Sequence, residues 1–269
     1  MLAPPNDNLP PHKGYLFIAM VSYRDEVDSR VRDAIETTQV SLSMQGWLSA
    51  KAQFGSADLC DARNVLVSHF HANPDYTHAL LVDADVSWEP GPVERLLSYP
   101  VDFVLGAYPR RAEDQGFAVN TIPGPVQLIE PLTGNPNPKG IAKINGGPGG
   151  LMRLSRNVMD KLIEAHPDRW YHQPMVKPTE KAWNFFEFII DMDRHARIGE
   201  DMNFCRLWRD TGGEVWVDPH LILHHHGTKT YSGRFLDYLR EIGRLDEPEA
   251  LVKMPLSVAP DWDDKKKSN

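Results

Sequence analysis

The sequence predicts an α/β fold built on a mixed, mainly parallel sheet with helices on its faces. Two observations predict it. Over the first 110 residues, strand-like and helix-like segments alternate, which is the pattern of parallel strands joined by crossover helices. The 269 residues, 41% hydrophobic and 25% charged, are the length and composition of a globular α/β chain with ample core.

Taken in order, residues 1–13 are rich in Pro and Asn and read as a disordered lead-in. "GYLFIAMVSY" from Gly14 is a buried strand, and Asp28 to Thr38 reads as a polar helix. "VSLSM" (Val40–Met44) alternates like a second strand. Ser56 opens a helix on which Leu59, Ala62, Leu66 and Phe70 recur at helical spacing, and Asn73-Pro74 stops it. The strand "HALLVDADV", a short helix around "GPVERLLSY" and the strand "DFVLGAYP" follow.

Residues 112–150 are loop-rich and end in "NGGPGG". Then come a strand "LMRL", a helix to His166 capped by Ser155, and a loop containing Trp and Pro. A helix from Glu200 to Asp210 is closed by Gly212-Gly213, and "EVWV" returns as a strand. The apolar "LIL" leads into His224-His225-His226, and a charged helix starts at Arg234. With no internal repeat, residues 14–232 read as one domain and 233–269 as a C-terminal helical appendage with a polar tail.

A net charge of −8 argues against unspecific nucleic-acid binding as the main activity. Cys60 and Cys205, each within an apolar helical pattern, form neither a disulfide framework nor a zinc site alone. "MLAPPNDNLPPHKG" lacks the pattern of a signal peptide, and no apolar run approaches the roughly 18 residues of a membrane span, so a soluble, cytoplasmic protein is expected.

Four groups of residues carry the chemistry. Asp83 and Asp85 lie two apart at the carboxyl end of a strand, the edge where such sheets bind ligands, and so address the same side. Oxygen ligands of this kind suit Mg²⁺ or Mn²⁺. Among the three histidines, His225 shares a strand face with Leu221 and Leu223 and is the inward one. Asp201 lies on the stripe of Phe204, Cys205 and Trp208, so it faces the core from the first turn of its helix. Burial there raises its pKa and the helix N-terminus lowers it, a balance that suits a general base. On the helix before the acidic strand, Asp61 and Arg63 offer a carboxylate and a planar fork.

Together "ARN", "VDADVSWEP", "GAYPRR", the Gly-rich stretch, "GEDMNFCRLWRDTGGEVWVDP" and "HHHG" resemble an inverting glycosyltransferase of the GT-A type, family-2-like, from about residue 14 to 232. The resemblance implies a Rossmann-like GT-A sheet and a nucleoside-diphosphate-sugar donor of UDP, GDP or dTDP type. It further implies a glycan or other hydroxyl acceptor and a divalent metal, Mn²⁺ or Mg²⁺. It makes Asp85 and His225 metal ligands, with Asp83 beside them or on the donor's ribose or sugar. Asp201, next to Glu200, becomes the base. Val21, Ser22, Tyr23, Asp61, Arg63, Asp83 and Ala84 would hold the nucleotide. Trp88, Tyr108, Gly149, Gly150 and Trp170 would form the acceptor side, with Trp183 a further candidate. The chain departs from the family in Val21 for a common Pro, in Gly199 for a common Ser, and in having Ser43 and Gln45 where an acidic base-reading residue often stands.

Two other readings fit acids after a strand. A nucleotidyltransferase wants a Gly-rich basic loop after the first strand, and "MVSYRDEVDSR" has no Gly. A non-catalytic nucleotide- or sugar-binding module on the same fold would not need the ligands and the base together.

Overall fold

The computed structural model describes residues 12–23, 25–112, 116–130, 140–246 and 252–253. Most of the expected lead-in (1–13) and the polar tail lie outside them. The first half runs β1 (Tyr15–Ser22), α1 (Ser29–Met44), β2 (Leu48–Gly55), α2 (Leu59–Ala72), β3 (His78–Asp83), β4 (Val86–Trp88), α3 (Pro92–Ser98) and β5 (Phe103–Gly106). The short strands β6 (Asn120–Thr121), β7 (Val126–Gln127) and β8 (Ile129–Glu130) precede β9 (Ala142–Gly146), β10 (Leu151–Ser155) and α4 (Arg156–Ala165). Two hairpins follow, β11 (Trp170–His172) with β12 (Lys181–Trp183), and β13 (Ile189–Asp191) with β14 (Ala196–Ile198). The chain then forms α5 (Glu200–Asp210), β15 (Val215–Asp218), β16 (Ile222–His225), β17 (Tyr231–Arg234) and α6 (Phe235–Glu241).

Eight strands form the central sheet in the order β2-β1-β3-β10-β5-β15-β9-β6. Strands β2, β1, β3, β5, β15 and β6 run one way, and β10 and β9 run against them. The fold is thus the expected α/β architecture, a mixed sheet flanked by helices. Alternation along the strands divides the apolar residues between two cores. Phe17, Ala19 and Val21 of β1 face α2, α4 and α5, whereas Leu16, Ile18 and Met20 face α1 and α3. Strands buried on both faces need apolar residues at every position, which is why β1 and β3 are unbroken apolar runs. From α6, Phe235, Leu236 and Leu239 pack into the first core. Among the described residues no helix is long and apolar enough to cross a membrane.

The second strand is not where the alternation of Val40–Met44 places it. That stretch is the last turn and a half of α1, whose buried residues Val31, Ile35, Thr38 and Leu42 recur at helical spacing while Val40 and Met44 stand exposed. Gly46, at φ +82°, turns the chain into β2, a half-buried edge strand with no apolar run to mark it. Ser155 does precede α4, but its hydroxyl donates to Asp102 rather than capping the helix.

Two arginines, Arg156 at the start of α4 and Arg153 in β10, satisfy the carbonyls at helix ends. Arg156 donates to the carbonyls of Phe70, His71, Asn73 and Tyr76 at the end of α2. Arg153, fully buried in β10, donates to those of Leu96, Tyr99, Val101 and Asp102 at the end of α3. Burial lowers the pKa of Arg153 to about 10, and still leaves it charged at neutral pH. Arg153→Met removes every one of those donors and should lower the unfolding free energy by about 3 kcal/mol or more. Urea denaturation measures this, and an unchanged midpoint would contradict the assigned role.

Candidate active site

The site forms where β1 and β3 end and the chain bends. The amide of Asp83 donates to Gly150 O at 3.2 Å, and that of Ala84 to Val21 O at 3.1 Å. Beyond this bend lies a cleft of about 490 Å³, with Val21, Ser22, Tyr23, Asp83, Ala84 and Asp85 in its walls. Tyr108, Arg111 and His225 close its far side.

One guanidinium takes a member of each of the two acidic pairs. Arg63, 2% exposed, pairs with Asp83 Oδ1 at 2.7 Å and with Glu200 Oε1. Burial alone would lower its pKa, but Asp83, Glu200 and Asp201 together raise it, so the charge is permanent. Arg63 is therefore not in the cleft wall, and Glu200 is buried against it. Asp83 is committed as well, because its second oxygen accepts from the Tyr108 hydroxyl at 3.2 Å. Asp83 still stands in the cleft wall, beside Ala84 and Asp85. Asp61 is engaged by the Tyr171 hydroxyl, away from the cleft lining.

Asp85 and His225 come together through strand pairing. In the register of β4 and β16, Trp88 lies opposite Leu223 and Val86 opposite His225, and the His226 amide donates to Asp85 O at 2.8 Å. This leaves His225 Nε2 3.8 Å from Asp85 Oδ1. The other ring nitrogen, Nδ1, is 2.9 Å from Pro109 O, and because a carbonyl only accepts, Nδ1 carries the proton. Nε2 then presents its lone pair toward Asp85. Burial is the main cause that lowers the pKa of His225, and the Arg111 charge adds to it, so the imidazole stays neutral. A neutral ring fixed from behind by a carbonyl is how proteins orient a metal-binding histidine.

Does this donor set fit a metal? Among the described residues no group of three or more His, Cys, Asp or Glu side chains is arranged to hold one, which argues against a closed structural zinc site. One carboxylate and one imidazole leave most of a coordination shell to water and phosphate oxygens, which is how Mg²⁺ and Mn²⁺ are usually bound. The residues fit such a cation.

Asp201, in the first turn of α5, stands among the charges of Arg63, Glu200 and Asp83 and is not in the lining of the cleft; it is partly exposed, and Oδ1 accepts from the Met202 amide at 2.7 Å. Desolvation raises its pKa, against the opposing pull of Arg63. Of the residues expected on the acceptor side, Gly149 and Gly150 are buried behind the cleft lining, against Arg63 and against Tyr108 and Asp83. A β-carbon on Gly149 would meet Arg63 at 2.8 Å, and one on Gly150 would meet the Tyr108 hydroxyl at 2.5 Å. The Gly150 amide donates to that hydroxyl at 3.1 Å, so Tyr108 is a buried strut of the cleft wall. Trp88 is a correction: it is 4% exposed in the second core, and its indole donates to Thr38 at 3.0 Å. Trp170 is exposed on the hairpin that packs on α2, with Lys181 over its ring and Trp183 opposite.

The sequence reasoning missed Arg111, whose guanidinium pairs with Asp85. The signal was the basic pair in "GAYPRR", at the same sheet edge as the acids. Asn64, next to Arg63 in "ARN", accepts on its carbonyl oxygen from the amides of Phe185 and Phe186 and holds that loop to α2.

No family model and no curated protein matches the sequence. Among solved structures the chain is similar to A197 from STIV at 12% identity and a TM-score of 0.49, covering 90% of this chain and 98% of that one. It is also similar to Drosophila β1,4-galactosyltransferase 7 in complex with manganese, UDP-Gal and xylobiose, at 13% identity and a TM-score of 0.39, covering 87% and 76%. A glycosyltransferase involved in glycosylation of the major capsid of PBCV-1 matches at 11% identity and a TM-score of 0.32, covering 57% and 66%.

The packing behind the cleft tolerates no side chain at Gly150. Gly150→Ala should destabilise the protein by about 1–3 kcal/mol, because the methyl group must displace Tyr108 and Asp83 from each other. Equal urea midpoints for the two proteins would contradict the packing described.

Proposed function

We propose that this chain is a metal-dependent glycosyltransferase, which moves a sugar from a nucleoside-diphosphate sugar to an acceptor hydroxyl with inversion. The observation that carries the reading is the pair of Asp85 and His225, 3.8 Å apart, with Nδ1 of the imidazole tied to Pro109 O. The order of motifs along the chain supports it, as does a cleft of about 490 Å³ in the range of small-ligand sites.

In this reading Asp85 and His225 hold Mn²⁺ or Mg²⁺. The cation, when bound, supplies positive charge to the diphosphate oxygens. Val21, Ser22, Tyr23 and Ala84 line the nucleotide side of the cleft. Asp201 takes the proton of the acceptor hydroxyl as the new bond to the anomeric carbon forms and the bond to the diphosphate oxygen breaks. The leaving group departs as a nucleoside diphosphate. Attack from the face opposite the leaving group inverts the anomeric centre. Glu200, bound to Arg63, fixes the first turn of α5 and so positions Asp201.

A panel of nucleotide sugars with Mn²⁺ tests this, read as donor turnover, with the anomeric configuration of the product followed by NMR. Turnover that needs the metal and yields an inverted product is expected; equal turnover in chelator would reject the reading. Asp201→Asn should lower turnover by about 100-fold or more. It should retain metal-dependent binding of the diphosphate.

The raised pKa of Asp201 also sets a sign. Below it the base is protonated, so activity should rise with pH through a value above that of an ordinary aspartate. The folded state binds that proton more tightly than the unfolded chain, so ionisation costs stability once pH exceeds the unfolded value. Asp201→Asn should therefore melt no lower than the unsubstituted protein at neutral pH. A lower melting temperature would contradict the shift.

A further inference from the structure

The ion pair of Arg111 with Asp85 has no part in the reaction as described so far. Both side chains are 40% exposed, so either can turn without disturbing the core. The aliphatic stem of Arg111 lies over Gly227, where a β-carbon would come within 3.2 Å of Cδ. Its guanidinium stands where the cleft meets an adjoining hollow of about 420 Å³, and the two share Tyr23, Ala84, Asp85 and Arg111.

Asp85 cannot serve a guanidinium and a divalent cation in the same way at once. The two compete for its oxygens, and as like charges they repel across a few ångströms. A diphosphate removes the conflict, because its oxygens accept the planar fork of an arginine and ligate a cation together. A cation alone has to displace Arg111 with nothing to receive it. A diphosphate alone meets an Arg111 already engaged.

We propose that Arg111 couples the cation to the donor: its guanidinium leaves Asp85 for the donor's diphosphate as the cation takes its place, so that the two bind together. The inference rests on the transferase reading of the site and adds to it a residue for diphosphate recognition. Arg111 is a better candidate for that contact than Arg63, which is sealed beneath Gly149 with both ends of its fork in use.

The test measures Mn²⁺ binding by loss of the free-ion EPR signal, in the presence and absence of UDP. In the unsubstituted protein UDP should raise Mn²⁺ affinity by about tenfold or more. Arg111→Gln should bind Mn²⁺ alone more tightly than the unsubstituted protein, and UDP should then raise that affinity by a smaller factor. A side chain with a merely structural role would not improve metal affinity when removed. Arg111→Lys keeps the charge without the fork and should fall between the two.

The same coupling factor and the same Mn²⁺ affinity in all three proteins would overturn the role of Arg111 while leaving the cation site intact. If none of them binds Mn²⁺ with or without UDP, the transferase reading fails, and this inference with it.

Discussion

The structure around the cleft depends on one buried charge. Arg63 lies on α2 beneath the protein surface, and a guanidinium there must be neutralised and hydrogen-bonded or the fold bears a large desolvation cost. Asp83 answers it from β3 and Glu200 from α5, 137 residues further along than Arg63. The triad locks the end of the acidic strand to the first turn of α5. Losing one partner from such a buried arrangement typically costs about 3–5 kcal/mol, so the geometry is strongly held. The sequence offers two acidic pairs, and the arginine takes one member of each. Asp85 and Asp201 are left outside the triad.

The second constraint is the register between β4 and β16. A slip of one residue would turn His225 away from Asp85 and bring its neighbours round. The two other histidines have different employment. His226 is buried, with Ser87 Oγ 2.7 Å from its Nε2, and His224 contacts Ser232. Both help to hold the turn that follows β16, and His225 alone of the three lines the cleft with Asp85. The partners of His225 and Asp85, Pro109 O and Arg111, come from the segment after β5. Three chain segments thus set the cleft's far wall.

Much of this could be read from the sequence, and the rest for a physical reason could not. The place of Asp83 and Asp85 in the cleft wall was legible because the apolar run ends at them, at the carboxyl edge of the sheet. The inward choice of His225 followed from alternation with Leu221 and Leu223, both of which are buried. The pairing of Arg63 with Glu200 was not legible, because α2 carries no mark of which distant carboxylate will reach it. Val40–Met44 misled because five residues do not separate a period of two from one of 3.6; only Val31, Ile35 and Thr38 upstream decide it. Trp88 was expected on the acceptor side, but β4 carries it into the second core.

The central claim is that Asp85 and His225 grip one cation beside a diphosphate. The most direct measurement is pulsed EPR of Mn²⁺ bound with UDP, using protein with ¹⁵N-labelled histidine. The account predicts a nitrogen coupling from a single directly bound imidazole, absent in His225→Ala. Bound Mn²⁺ with no histidine coupling, or a coupling that survives His225→Ala, would contradict it.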